Sequence, residues 1–277
     1  MNLEDIFATT LFDGQTVFIT GGGSGINLGV AQCFARLGAN IAICGRTQSK
    51  LNDAAAMLET LGAEVVAQAA DVRDMDALAE AMATTESQLG PINVLVAGAA
   101  GNFTAPTEKL SSNGFRTVID IDLVGAFNAA RAAFEQLRQT RGCLIFISAG
   151  QAQAPFEFQA HAGAAKAGVD NLMKTLALEW GPYGIRANSV LPGWIADTEG
   201  LKRLAPPGSE HRIADEVPIR RMGDTTDVGA LACFLASPLA GYVTGNVVAA
   251  DGGMMLRGSG IWTQVIGAML AETDASG

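Results

Sequence analysis

The sequence has few of the features that mark an extracellular or membrane-spanning protein. Its four cysteines lie far apart and form no Cys-x-x-Cys or Cys/His cluster. Buried, reduced thiols are therefore expected in place of disulfides or a bound metal. No apolar stretch reaches about 18 residues without a glycine, proline or polar residue, so the sequence predicts no membrane span.

Positive charge is also scarce. The chain has 18 Lys and Arg against 28 Asp and Glu, a formal net charge of −10. This balance disfavours nucleic acid or an anionic membrane as a partner, because either requires a basic patch. Residues 1–5 lack the basic segment and apolar run of a secretion signal, and residues 273–277 do not form a peroxisomal address. The cytoplasm is the expected compartment.

Glycine and hydrophobic residues, by contrast, are abundant. The 33 glycines and the 49% hydrophobic content suit a buried parallel sheet covered by alanine-rich helices. Short β-rich runs alternate with longer helical patterns, which is typical of right-handed βαβ units. The predicted strands are 17–19, 40–44, 65–69, 94–97, 143–148, 187–191 and 246–249, and the predicted helices include 50–61, 76–89, 113–138 and 158–180.

The organisation along the chain predicts one domain over residues 1–277, because no interdomain linker or repeat is present. Residues 198–218 are polar and contain Pro206-Pro207-Gly208. A segment of that length inside a compact domain indicates a mobile substrate-binding loop or lid.

A glycine cluster follows the first predicted strand and opens a helix. Glycines at such a turn let the backbone approach a pyrophosphate, which then sits on the free N–H groups of the helix N-terminus. The sequence therefore predicts a Rossmann-type, doubly wound α/β fold with helices on both faces of the seven-stranded sheet. The alternative for the glycine cluster is a plain turn that binds no nucleotide. The expected cofactor contacts from this cluster are Gly21, Gly22, Ser24, Gly25 and Ile26.

The residues after the second predicted strand bear on the choice of dinucleotide. About twenty residues after Gly25 the chain offers Cys44-Gly45-Arg46-Thr47 and no carboxylate. An acid there would hold a ribose 2′-hydroxyl, whereas Arg46 can pair with a 2′-phosphate, so NADP(H) is favoured over NAD(H). The alternative is that Arg46 is solvated or stacks on the adenine. Asp71 and Val72, after the third strand, are expected at the adenine.

These segments resemble the short-chain dehydrogenase/reductase family across about residues 14 to 256. Further matches to the family are Lys166, residues 188–193, Val243-Thr244-Gly245 and Asp251-Gly252-Gly253. The resemblance implies that Lys166 holds the nicotinamide ribose. It also implies further cofactor contacts from Ala99, Pro192, Gly193 and Ile195.

The chain departs from the family at its catalytic positions. No Tyr-x-x-x-Lys pair exists in the sequence, and alignment by spacing from Lys166 puts the family's Tyr at Ala162, its Ser at Ala149 and its Asn at Asp122. This combination is similar to that of the peroxisomal-type 2,4-dienoyl-CoA reductases. That resemblance implies a homotetramer, NADPH, an acyl-CoA substrate, and a proton-donating water held by Asp122 and Asp251.

The chemistry of a conjugated thioester is compatible with the absent tyrosine. Hydride addition leaves an extended enolate, and protonation at carbon does not need a hydroxyl that touches a carbonyl. Lys166 would place positive charge near the developing enolate. Phe103, His161 and Trp194 are expected to line the substrate pocket. The alternatives are a backbone-bonded Asp122, a turn-forming Asp251, a structural His161, and core packing for Phe103 and Trp194.

Two further positions depart from the family pattern. Asn27 stands where the phosphate turn usually has a third glycine, and Ala97-Gly98 stands where the family usually has Asn. A side chain at position 27 is expected to obstruct the approach of the pyrophosphate, so Asn27→Gly is expected to tighten NADPH binding.

Three functional hypotheses therefore stand. The first is an NADPH-dependent reductase of an unsaturated acyl-CoA or a related conjugated carbonyl compound. The second is a reductase or dehydrogenase of a different ketone, diol or aromatic-derived substrate whose own groups assist proton transfer. The third is a non-catalytic member of the fold that binds a nucleotide or partner subunits.

Overall fold

The computed structural model describes residues 3–204, 208 and 210–259. Within these ranges seven strands form one parallel sheet in the order β3-β2-β1-β4-β5-β6-β7, which confirms the predicted doubly wound α/β fold. The strands are β1 Thr16–Thr20, β2 Asn40–Gly45, β3 Val65–Ala69, β4 Ile92–Ala97, β5 Cys143–Ile147, β6 Arg186–Pro192 and β7 Val247–Ala250. The predicted features at Pro206-Pro207 and at 273–277 lie outside the described residues.

The order of the strands fixes where a ligand is expected. The chain leaves β1 toward β2 on one side and later returns to β4 on the other side of β1. Thr20, the last residue of β1, is in register with Cys44 of β2 and with Ala97 of β4. A crevice opens at the carboxyl ends of strands where the winding reverses, and it is the usual ligand site of such sheets.

Helices cover both faces of the sheet because successive strand residues point to opposite sides. Val17 and Ile19 pack in one core with α1, α2 and α9, whereas Phe18 packs in the other with α3, α5 and α6. The helices are α1 Gly25–Arg36, α2 Gln48–Glu59, α3 Met75–Leu89, α4 Ser112–Ile119, α5 Gly125–Thr140, α6 Ala160–Trp180, α7 Glu199–Leu204, α8 Glu210–Glu216 and α9 Thr225–Ala236.

The predicted helix over 113–138 is interrupted. α4 and α5 are joined by a π-helical turn over Asp120–Val124, and this turn contains the buried Asp122. A π turn carries an extra residue, so it rotates the side chains that follow it relative to those before it. The sequence pattern did not predict this break, because its apolar positions continue across it.

The connection after β6 also differs from the prediction of a loop over 198–218. Two short helices, α7 and α8, lie within that segment. The helix α9, which follows it, begins with a capping box in which Asp224 and Asp227 each accept from the other's backbone N–H. The segment therefore contains helical turns, and its role as a lid stays a prediction.

The four cysteines are all buried, as the sequence predicts. Burial raises the pKa of the Cys33 and Cys44 thiols to about 12. In the described ranges no group of three or more His, Cys, Asp or Glu side chains is arranged to hold a metal ion. None of the described helices has the length and apolarity needed to cross a bilayer.

The packing of α1 on α9 generates a stability prediction. An added Cβ at Gly29 would lie 2.1 Å from Thr225 Cβ, so Gly29→Ala forces the two helices apart. We expect this change to lower the free energy of unfolding by about 1–3 kcal/mol, the usual cost of overpacking. Urea titration of Gly29→Ala measures the effect.

Gly181→Ala is the matched control, because Gly181 has helical φ and an added Cβ there would meet no atom within 4 Å. Equal stability of Gly29→Ala and Gly181→Ala would contradict the packing described here.

Candidate active site

The glycine turn joins the end of β1 to the start of α1. Gly21 and Gly25 have φ of 70° and 59°, in the left-handed region that favours glycine. Gly22 packs on β2, where an added Cβ would lie 2.5 Å from Ile43 Cγ2. The side chain of Ser24, the N-cap of α1, makes no capping hydrogen bond. The first N–H groups of α1 therefore lack a side-chain cap and suit an anion.

A cavity of about 700 Å³ follows the carboxyl ends of the strands from this turn to the residues after β6. Two of the predicted cofactor residues do not line it. Gly22 lies under the turn against Ile43, and Ile195 is buried against Gly223. The predicted cofactor residues that do line it are Gly21, Ser24, Gly25, Ile26, Arg46, Asp71, Val72, Ala99, Lys166, Pro192 and Gly193.

Positive charge lies at the β2 end of the cavity, despite the acidity of the whole chain. Arg46 and Lys50 both line the cavity, and neither forms an ion pair with a residue that the structure describes. Asp71 is held by Arg73, whose Nε donates to Oδ1 at 3.0 Å and whose Nη2 donates to Oδ2 at 2.6 Å. This bonding lowers the pKa of Asp71, which stays ionised and fixed.

The centre of the cavity holds a buried ion pair. Asp122 of the π turn is 2% exposed, and Lys166 of α6 is 7% exposed. Lys166 Nζ lies 3.5 Å from Asp122 Oδ2 and donates to Ile147 O at 2.8 Å. Gly101 N–H donates to Asp122 Oδ1 at 2.7 Å. The pair is thus tied to β5 and to the loop after β4.

Opposing effects act on the pKa of Asp122. Burial raises it above the ordinary value, whereas the Lys166 charge, the Gly101 N–H and the nearby His161 lower it, and burial is the largest of these effects. A carboxylate whose pKa is raised in this way binds a proton more strongly than an exposed aspartate does. Although Asp122 is buried, it lines the cavity, so a ligand or solvent there can reach its carboxyl group.

Small side chains surround the ion pair. Ala149 follows β5 and Ala162 precedes Lys166 by one turn of α6, and both line the cavity. Next to Ala149, Ser148 Oγ donates to the buried Asp170 Oδ2 at 2.9 Å. Neither alanine carries a group that moves a proton, so chemistry at this point of the cavity depends on Asp122, Lys166 or solvent.

The three predicted substrate residues are placed differently. Trp194 lines the cavity, but Phe103 and His161 do not. The Phe103 ring meets the His161 ring edge-on, with centroids 4.4 Å apart. His161 is fully buried, and this burial lowers the pKa of its imidazole. Their sequence neighbours Asn102 and Gln159 do line the cavity, whereas Phe103 itself is 40% exposed.

Both carboxylate oxygens of Asp251 accept hydrogen bonds from the backbone of its own turn. Its Oδ1 accepts from Gly253 N–H at 2.9 Å and its Oδ2 from Met255 N–H at 2.8 Å. It does not line the cavity that Asp122 lines. These bonds fit the turn-forming alternative, and the role of Asp251 beside Asp122 stays a prediction.

The side chain of Asn27 lines the cavity at the glycine turn and also bonds the end of β4. Its Nδ2 donates to Gly98 O at 2.8 Å, and the side chain lies against the end of β4. The amide thus fills space between the turn and β4. Asn27→Gly would also remove the hydrogen bond to Gly98 O, a loss that opposes the expected gain in affinity.

Several groups at the site carry no signal in the sequence. Gly101 N–H and Ile147 O hold the ion pair through backbone atoms that any residue supplies. Lys50 is a solvated helix residue by its pattern, and only the fold brings it to the cavity. Gln159, buried beside the cavity, donates to Phe103 O at 3.3 Å.

The fold and the glycine turn agree with the comparisons to known proteins. Residues 21–255 match the family model described as Enoyl-(Acyl carrier protein) reductase. The chain belongs to the short-chain dehydrogenase/reductase family. This membership confirms the resemblance drawn from the motifs.

Similar proteins within the short-chain dehydrogenase/reductase family cover most of the chain. The peroxisomal 2,4-dienoyl-CoA reductase SPS19 of Saccharomyces cerevisiae is 41% identical over 260 residues, which is 92% of this chain and 89% of SPS19. A probable 2,4-dienoyl-CoA reductase of Bacillus subtilis is 36% identical over 249 residues, covering 88% of this chain and 97% of that protein. Among solved structures, the citronellol catabolism dehydrogenase AtuB of Pseudomonas aeruginosa has a TM-score of 0.80 and 37% identity, covering 90% and 98% of the two chains.

The ion pair generates a prediction on proton affinity. Lys166→Met removes the positive charge that lowers the pKa of Asp122, so we expect this pKa to rise further above its ordinary value. Carbon-13 NMR of the aspartate carboxyls measures it. Lys174→Met, at an exposed position of the same helix, is the control and is expected to leave the Asp122 pKa unchanged.

Because the folded-state pKa of Asp122 is raised, the contribution of this carboxyl to stability depends on pH. The contribution of Asp122 to stability is fully present below its unfolded-state pKa and is lost as pH rises through the higher folded-state value. An Asp122 pKa that falls or stays constant in Lys166→Met would contradict the pairing.

Proposed function

We propose that the chain is an NADPH-dependent reductase of conjugated enoyl or dienoyl thioesters. The observation that carries the proposal is the buried Asp122–Lys166 pair beside Ala149 and Ala162, in a cavity that begins at the glycine turn. The named relatives support it, because two of them are called 2,4-dienoyl-CoA reductases. An acyl-CoA is accordingly the proposed substrate class.

The residues at the glycine turn and the β2 end fit a phosphorylated dinucleotide. The turn has no side chain at Gly21 or Gly25, and the first N–H groups of α1 lack a side-chain cap. Arg46 and Lys50 form no ion pair with the residues that the structure describes and offer positive charge to a 2′-phosphate, and no acid directly after β2 repels it. NADP(H) is therefore proposed in preference to NAD(H), with Asp71 and Val72 at the adenine.

The proposed chemistry uses the ion pair in two ways. Bound NADPH supplies the hydride. As electron density moves to the thioester oxygen and the α-carbon, Lys166 stabilises the negative charge from a site where water is largely excluded. Asp122 holds a water molecule that gives a proton to the α-carbon, and the hydroxide left behind regains a proton from solvent, so one hydride and one proton are consumed for each substrate reduced.

This route accounts for the two alanines. In ketone reduction a positioned donor must touch the carbonyl oxygen, whereas an extended enolate accepts its proton at carbon. The space at Ala149 and Ala162 therefore leaves room for substrate and solvent in place of hydroxyl groups. Asp251 stays a predicted second ligand of that water, although its carboxylate serves a turn.

Elements around the cavity suit an acyl chain. Trp194 lines it, and the Phe103 and His161 rings pack together next to the lining residues Asn102 and Gln159. Residues at the start of α7 and within it also line the cavity, which supports the lid proposed for 198–218. They are Thr198, Glu199, Gly200 and Arg203.

The proposed assembly is a homotetramer, and the exposed Phe115, Val124 and Phe127 around the π turn offer apolar surface to a second copy. The cytoplasm stays the proposed compartment.

The reaction itself is tested by NADPH oxidation in the presence of a 2,4-dienoyl-CoA. We expect turnover by the wild type and a loss of about 10²-fold or more in kcat for Asp122→Ala and Lys166→Ala, the effect of removing a positioned proton-transfer group. Asp120→Ala is the matched control, since Asp120 lies on the same π turn outside the cavity lining.

Other outcomes of this assay separate the rival hypotheses. Turnover of simple ketones without turnover of dienoyl thioesters would replace the proposal with a different carbonyl reductase. Absence of nucleotide binding by calorimetry would show a non-catalytic member of the fold.

The choice of cofactor is tested at Arg46. We expect Arg46→Gln to raise the Kd for NADPH about tenfold or more, because a charge-assisted hydrogen bond to phosphate contributes roughly 1.5–3 kcal/mol. The Kd for NADH is the internal control and is expected to stay within about threefold. Equal loss for both nucleotides would contradict recognition of the 2′-phosphate.

A further inference from the structure

Two side-chain contacts hold the peptide groups around Gly98, just after β4, against the glycine turn. Thr20 Oγ1 accepts hydrogen bonds from Gly98 N–H and Ala99 N–H, both at 3.1 Å. Asn27 Nδ2 donates to Gly98 O at 2.8 Å and reaches Gly21 O at 3.4 Å. The N–H and the carbonyl of Gly98 are therefore bonded to two ends of the same turn.

Gly98 leaves the space that the Asn27 amide occupies. An added Cβ at Gly98 would lie 2.1 Å from Asn27 Oδ1 and 2.6 Å from its Cγ, closer than such atoms approach. The φ of Gly98 lies outside the left-handed region, so the backbone there accepts any residue. The Asn27 side chain, and not the backbone conformation, is what demands a glycine at position 98.

The opposite wall of the turn is fixed by backbone bonds. Gly21 N–H and Gly22 N–H donate to Cys44 O of β2 at 2.8 and 3.3 Å. Asn27 adds a bond on the β4 side, where Thr20 Oγ1 supplies the other side-chain hydrogen bonds among the described residues. The turn therefore keeps one position between β2 and β4 before any ligand arrives, and such preorganisation favours binding.

We propose that Asn27 is a positioning residue for the nucleotide, and that Gly98 is the partner its amide requires. The proposal rests on the proposed function, because Gly21, Asn27, Gly98 and Ala99 line the part of the cavity assigned to the dinucleotide. Asn27 acts through the turn and the end of β4, and it sets affinity for NADPH more than the rate of the chemical step.

A double-mutant cycle tests the pair, with NADPH titrated by fluorescence. Asn27→Ala is expected to raise the Kd about fivefold, the effect of about one lost hydrogen bond, with kcat within about twofold. Gly98→Ala is expected to raise the Kd at least as much, because its Cβ displaces the amide. Asn27→Ala/Gly98→Ala is expected to bind like Asn27→Ala alone, since the clash is gone.

Asn188→Ala is the control for a purely structural loss. The Asn188 amide donates to Val243 O at 2.9 Å and accepts from Asn246 N–H at 3.1 Å, away from the cavity lining. We expect it to lower the Tm with an unchanged Kd for NADPH. Asn27→Leu keeps about the size of the side chain without its N–H donors and without adding a charge, and it tests the donated hydrogen bond by itself should Gly98→Ala not fold.

Clear results would overturn the proposal. These are an unchanged or lower Kd in Asn27→Ala, wild-type affinity in Asn27→Leu, or independent losses that add in the double variant. A wild type that binds no NADPH would overturn the proposed function as well. Backbone hydrogen exchange at residues 21–25 without nucleotide then decides the structural tie separately, with faster exchange expected in Asn27→Ala.

Discussion

The arrangement depends on a buried ion pair that the fold must satisfy without water. An ammonium and a carboxylate at this depth carry a large desolvation cost unless each has further partners. Lys166 gains Ile147 O at the end of β5, and Asp122 gains Gly101 N–H after β4. These bonds draw α6, the π turn and two strand ends to one point, which is the middle of the cavity. The local order of the site follows from this requirement.

Much of the fold and part of the site could be predicted from the sequence. The parallel strands and the glycine turn follow from local patterns, and Lys166 and Asp122 follow from spacing within a recognisable family. The π turn over Asp120–Val124 could not be predicted, because the apolar positions run on through it and the break is set by tertiary contacts. Asp251 was predicted beside Asp122 from motif alone, whereas its oxygens bind the backbone of its own turn.

Asn27 and Gly98 illustrate what a position-by-position comparison misses. Each departs from the family pattern, and each taken alone suggests a weaker nucleotide site. In three dimensions the amide of one fills the space left by the other, and it bonds the carbonyl of Gly98. The sequence separation of 71 residues hides this relation from any local pattern. Similarly, the charge of −10 for the whole chain conceals the cations Arg46 and Lys50 at the cavity.

In the proposed reaction, a water molecule held by the Asp122 carboxyl takes the place of the tyrosine hydroxyl that the chain lacks at position 162. The most direct measurement is a crystal structure of the protein with NADP⁺ and an unreactive enoyl-CoA analogue. We expect a water molecule hydrogen-bonded to Asp122, beside Ala162 and within reach of the thioester α-carbon, with Lys166 retained at Asp122. A dry contact between Ala162 and packed hydrocarbon, with no solvent at Asp122, would contradict the account.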